Sequence, residues 1–168
     1  MFKIEFNKTK EIGVIDTEDM SVSEAIWSTY LAYEEDIIIT FGNYLIYLNR
    51  KGDISVMYND IISMLKKMKE NEDEFEISFL SSAFTLYWNF KKENKSVIIT
   101  PKWISVGLEN RETGLFVENL RDANFPITVK TEDFIFEWNN LLKDIKEDLL
   151  KVGYTEDLEN FEYLKTLK

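Results

Sequence analysis

Two acidic stretches, Glu34-Glu35-Asp36 and Glu70 to Glu76, are the densest groups of chemically capable side chains in this sequence. Carboxylates can ligate a hard cation, work in pairs as general acid and base, or accept hydrogen bonds from the Lys and Arg of another protein. The first use needs alternating ligands and a glycine, as in a calcium-binding hand, and neither stretch has that spacing. The second needs a carboxylate set apart from the rest, and no Asp or Glu is marked in this way. The chain has no His and no Cys. That excludes triads built on either base, thiolate chemistry, disulfides, and zinc sites with Cys or His ligands. Its 6 glycines are dispersed and build neither a phosphate loop nor a dinucleotide fingerprint.

Asp73 with Glu93-Asn94-Lys95 has the Asp…Glu-x-Lys order found in metal-dependent nucleases. That chemistry needs the Glu and Lys on a central strand, converging on a metal. Here they fall in a Lys- and Asn-rich stretch with the composition of a solvated hairpin tip. No catalytic, cofactor-binding or metal-binding residue is assigned, and no hydrolytic or transfer activity is expected. Solvated loops are the ordinary reading of such charge runs. The functional reading is a surface for a basic protein. Its candidate contacts are Glu34, Glu35, Asp36, Glu70, Glu72, Asp73 and Glu74, with Tyr33 and Tyr87 as candidate anchors. Rings matter here because desolvated aromatics supply affinity while charge supplies steering.

The elements that must hold these residues follow from periodicity. Phe2 to Asp16 reads as two short strands around Asn7-Lys8-Thr9-Lys10. Ser21-Val22-Ser23-Glu24 has capping-box spacing, and the apolar positions after it continue a helix through Tyr33. A β-meander follows: Asp36 to Phe41, a turn at Gly42-Asn43, Tyr44 to Leu48, and Ile54 to Tyr58. Asn59 or Asp60 then caps a helix to about Glu70, with Ile61, Leu65 and Met68 as its stripe. Phe75 to Leu80 is a strand. Ala83 to Phe90 puts Phe84, Leu86, Trp88 and Phe90 on one face and Tyr87 on the other; Lys91 to Lys95 turns, and Val97 to Val106 returns. Gly107 to Asn124 is a loop with one short helix at Phe116 to Leu120, and Phe125 to Lys130 is a strand. Thr131 caps a long helix whose stripe is Phe134, Trp138, Leu141, Ile145 and Leu149, ended by Gly153. Thr155 starts a last helix through Leu158, Phe161 and Leu164. The prediction is a single α+β domain over 1–168, an antiparallel sheet with helices packed on one face or end.

The whole chain is acidic, with a net charge of −11, which disfavours phosphate backbones and anionic membranes and favours a basic protein partner. The start, Met1 to Phe6, alternates like a strand and lacks a signal peptide's apolar run, so cytoplasmic residence is the expectation. Lys, Ile and Asn are abundant and Arg occurs only at 50, 111 and 121, a bias of AT-rich coding that points to a bacterial source. In length, acidity, mixed layout and coding bias the chain resembles the small acidic immunity proteins that bacteria encode beside polymorphic or contact-delivered toxins. The closing helix, from Phe134-Ile135-Phe136-Glu137-Trp138 to Leu150-Lys151-Val152-Gly153-Tyr154, belongs to the same likeness. It is a resemblance of type and assigns no role to any residue. It implies neutralisation of a cognate toxin, often a basic nuclease, by plugging its active site or blocking it at a distance. The alternatives are a structural or adaptor domain of a larger assembly, including a phage-derived one, and a carboxylate- or magnesium-dependent enzyme.

Overall fold

The computed structural model describes residues 1–8, 11–70 and 72–168. Alternating apolar residues build two antiparallel sheets of four strands, where one sheet was expected. The first has the order β1-β2-β3-β7, from β1 (Phe2–Phe6), β2 (Ile37–Phe41), β3 (Tyr44–Leu48) and β7 (Glu109–Asn110). Gly42, at φ +61°, makes the left-handed turn between β2 and β3 that other residues adopt with strain. The second sheet has the order β4-β5-β6-β8, from β4 (Glu74–Leu80), β5 (Phe84–Glu93), β6 (Ser96–Val106) and β8 (Ile127–Lys130). The first strand of its central hairpin runs three residues further than expected, so Lys91, Lys92 and Glu93 are in strand and the turn is Asn94-Lys95.

Among the described residues, four α-helices complete the α+β fold: α1 (Val22–Thr29), α2 (Ser55–Lys69), α3 (Thr131–Val152) and the single turn α4 (Glu162–Lys165). Trp88 is the hub of the core. Its ring stacks on Phe41 of the first sheet at 5.5 Å and meets Phe2 edge-on at 6.1 Å. Phe79 and Phe84 from its own sheet lie at 5.3 and 5.7 Å, and Phe134 of α3 at 6.4 Å. The predicted core residues Phe84, Leu86, Trp88, Ile99, Trp103, Phe134, Trp138, Leu141 and Ile145 are all buried. The open edge of β1 is covered by α3, where a Glu137 carboxylate oxygen accepts from the Ile4 amide at 2.8 Å. No helix among the described residues is long and apolar enough to cross a membrane.

Several expectations are corrected. Ile54 to Tyr58 is not a third meander strand. The Asn49 side chain accepts from the Gly52 amide at 2.6 Å, and Asp53 accepts from the Asn49 amide and side-chain nitrogen at 3.0 and 2.8 Å. These bonds close a π-helical turn at Arg50–Ile54 that runs straight into α2. Asn59 and Asp60 therefore lie inside the helix and cap nothing. A strand would have put Val56 on the same face as Ile54 and Tyr58 and turned Met57 to the other; the helix instead leaves Val56 exposed and buries Met57 with Ile54 and Tyr58. The second strand expected before Asp16 is absent: Ile12 makes one bridge to Tyr30 and the Gly13 amide donates to the Thr29 carbonyl, so the chain crosses the end of α1. Thr9 and Lys10 of the expected turn lie outside the described residues, as does Asn71 of the second acidic stretch.

α1 ends at Thr29, not at Tyr33. Thr131 is the first helical residue and not a cap, and no side-chain cap bond forms at that end. The helix expected at Phe116 to Leu120 is a 3-10 turn at Leu120–Ala123, and Phe116 instead bridges to Glu109. Thr155 to Asn160 is a turn: Asn160 has φ +67°, which a right-handed helix cannot absorb, so the last helix begins only at Glu162.

Candidate functional site

Arg50 organises the region around the first acidic stretch. Its side chain is only 1% exposed. The guanidinium pairs with Asp36, reaches Asp144 at 2.9 Å, and donates to the Asn7 carbonyl at 3.1 Å. The Phe6 and Tyr30 rings flank it at 5.4 and 5.5 Å. One planar cation thus ties the end of β1, the start of β2, the π-helical turn and α3 together, a task suited to Arg because its donors form a rigid fork. The Tyr30 hydroxyl donates to Asp148 at 2.8 Å. Burial, and then the Asp148 charge, push this phenol well above its ordinary range. A cavity of about 300 Å³ opens above, lined by Asn7, Glu11, Tyr30, Ala32, Glu34, Asp36 and Arg50.

Asp36 is therefore occupied inside the molecule, while its neighbours Glu34 and Glu35 are exposed. Tyr33 precedes them on the chain segment beyond α1 and is 59% exposed. Its ring meets that of Trp27 edge-on at 5.7 Å, and Trp27 is itself 44% exposed. Both rings are fixed from below. A Cβ on Gly52 would stand 3.2 Å from the Tyr33 ring, so the π-helical turn packs directly against it. The Lys51 ammonium donates to the carbonyls of Trp27 and Tyr30 at 2.8 and 3.0 Å and lies 4.9 Å from the Trp27 ring centre. Its charge is spent on the scaffold. Exposed Leu31 and Val56 extend the apolar surface. A cleft beside Trp27 is edged by Asp19 and Glu24. The result is an aromatic centre with an acidic margin.

The second acidic stretch lies elsewhere. Glu70, Glu72, Asp73 and Glu74 are exposed around the junction of α2 and β4. There the Lys92 ammonium donates to the Lys67 and Glu70 carbonyls at 2.7 and 2.6 Å. The 5-residue π-helical turn and the 15-residue α2 separate the two stretches. At about 1.5 Å per residue that is on the order of 30 Å. Tyr87 stands mid-strand on the outer face of the second sheet, half-buried, with the Lys102 ammonium 5.5 Å from its ring centre. The structure groups Tyr33 with Glu34 and Glu35; it does not bring the second stretch or Tyr87 to that face.

Glu93 is the last residue of the inner strand β5, at the hairpin end, beside Lys91 at 3.5 Å. Among the described residues, no three acidic side chains are grouped so as to hold a metal ion. Sequence reasoning gave neither Trp27 nor Arg50 a role at a binding face. The rarity of Arg in a Lys-rich chain was the one available signal for Arg50. No protein-family model, curated protein or solved structure matches this chain.

Proposed function

We propose that this protein is a non-enzymatic binding protein of the bacterial cytoplasm, an immunity protein that binds and neutralises a cognate basic toxin such as a nuclease. The observation that carries the reading is the rigid, exposed Trp27–Tyr33 pair beside the free margin of Glu34 and Glu35. Two rings already held by Gly52 and Lys51 lose little freedom on binding, so their burial against a partner goes largely into affinity. The carboxylates beside them, backed by a net charge of −11, raise the encounter rate with a cationic surface. Blocking a toxin needs contact and no turnover, which fits a chain without His or Cys.

The test is co-expression with the product of the adjacent upstream gene. The expected result is restored growth and a complex that co-purifies, both lost in a Trp27→Ala, Tyr33→Ala double variant that keeps the wild-type melting temperature. Absence of a complex would refute the reading. So would turnover of a nucleic acid, nucleotide or glycan by the purified protein that disappears on changing one Asp or Glu.

A further inference from the structure

A second open groove lies beyond the first acidic stretch, between β3 and the end of β6. The ladder between β3 and β7 stops at Leu45–Glu109. Beyond it, among the described residues, the outer edge of β3 from Ile46 to Leu48 carries no neighbouring strand. Between that edge and the end of β6 runs a groove of about 650 Å³.

Its apolar surface comes from Ile104 and Phe116, which are 49% and 61% exposed. Phe116 is not a loose ring. The flanking chain is tied to β7 and its approach by the Asn110 amide on the Leu115 carbonyl and the Val117 amide on the Leu108 carbonyl, both at 2.8 Å. The ring covers Gly107, where a Cβ would sit 3.6 Å from it. Carboxylates line the rest: Glu35, Glu109 and Glu118, with no Lys or Arg among the lining residues. The Tyr47 hydroxyl donates to Glu109 at 2.8 Å and fixes that carboxylate at the edge of β3. Glu35 belongs both to this groove and to the acidic stretch beside Tyr33, so the two surfaces are continuous.

We propose that this groove seats an extended cationic segment of the partner, in which Lys or Arg side chains alternate with apolar ones. The charge argument fixes the sign of the occupant: three carboxylates without a counter-cation repel an acidic segment and are relieved by a basic one. The shape fixes its form. An extended chain laid in the groove beside Tyr47 sends successive side chains to opposite sides, so one set can cover Phe116 and Ile104 while the other meets the carboxylates. The assignment rests on the proposed role as receptor for a basic protein, and it names the chemistry that receptor reads.

The experiment titrates the isotopically labelled full chain with a short synthetic peptide alternating lysine with leucine, following backbone amide shifts. Its controls are the same peptide with glutamate for lysine and a lysine homopeptide of equal charge. The expected result is saturable shifts at Gly107, Glu109, Phe116 and Val117, with binding about tenfold or more tighter than for either control. Phe116→Ser should weaken it about tenfold, as should Glu35→Gln with Glu109→Gln, which keeps an acceptor for Tyr47. Phe116 is exposed, so an unchanged melting temperature will show that its variant still folds. Shifts confined to the Trp27–Tyr33 face, non-saturable shifts, equal binding of the lysine homopeptide, or wild-type binding by Phe116→Ser would each overturn the groove. Peptide binding that persists while growth rescue fails would remove the toxin reading and leave the groove standing. Rescue without groove shifts would do the reverse.

Discussion

Arg50 is the one buried cation among the described residues, and the fold around the first acidic stretch depends on it. Removing it leaves Asp36 and Asp144, each mostly covered, without their shared guanidinium. Arg50→Met should lower the unfolding free energy by about 3 kcal/mol or more, measured by urea denaturation. Arg50→Lys should recover little, because one ammonium cannot reach Asp36, Asp144 and the Asn7 carbonyl together. A loss below about 1 kcal/mol for Arg50→Met would mean the network is peripheral. Trp138 tests the opposite kind of residue, fully buried and apolar in its contacts. Trp138→Ala should cost about 3–5 kcal/mol, the range for deleting a large buried ring. Trp138→Phe should cost less, since it also removes an indole N–H that is buried without a hydrogen-bond partner. At this scale the sequence speaks clearly about burial where a stripe exists and poorly about exposure. Trp27 and Tyr33 have the same composition signal as core rings, and only the early end of α1 turns Tyr33 outward.

The start of α1 is set by the capping box read from Ser21 and Glu24. The Glu24 carboxylate accepts from the Met20 and Ser21 amides at 3.0 and 2.9 Å, and the Ser21 hydroxyl accepts from the Glu24 amide at 3.3 Å. Those donors favour the charged form and hold this carboxyl below its usual range, the Met20 amide contributing most. A depressed folded value means that the stabilisation is present above the unfolded carboxylate pKa and is lost as pH falls through the folded one. The difference in urea midpoint between wild type and Glu24→Gln should therefore be largest at neutral pH and shrink toward zero in strong acid. A difference independent of pH would show that the carboxylate's charge plays no part in the cap. Elements with one dominant period were legible in advance. β5 alternates through Phe84, Leu86, Trp88 and Phe90, and α3 repeats through Phe134, Trp138, Leu141, Ile145 and Leu149, closed by Gly153 at φ +117°. The failures share a cause. From Ile54 to Tyr58 the apolar residues fit a period of two as well as a helix, and the deciding bonds from Asn49 and Asp53 lie upstream of the pattern. Phe116 owes its place to Leu108 and Leu115 carbonyls that no periodicity reveals.

For the whole molecule, the net charge of −11 is spread so that the two acidic stretches mark opposite ends of the helix from Arg50 to Lys69. A single basic patch on a partner cannot meet both at short range. The assigned face joins the first stretch to the rigid rings and to the groove through Glu35, and leaves the second stretch to long-range steering. The α+β class, the central hairpin and the long closing helix were readable from the chain. The division into two sheets was not, because alternation reports which face of a strand is buried and not which strand lies beside it. Asp36 also leaves the list of partner contacts, since reversing its charge would break the Arg50 network and confuse folding with binding. The direct test of the receptor account is the association rate with the adjacent gene's product across a salt series, for wild type and for a Glu34→Lys, Glu35→Lys variant. The account predicts that the wild-type rate falls about tenfold or more from low to high salt while dissociation changes less, and that the variant associates slowly at every salt. Salt-insensitive association, with the variant binding like wild type, would contradict it.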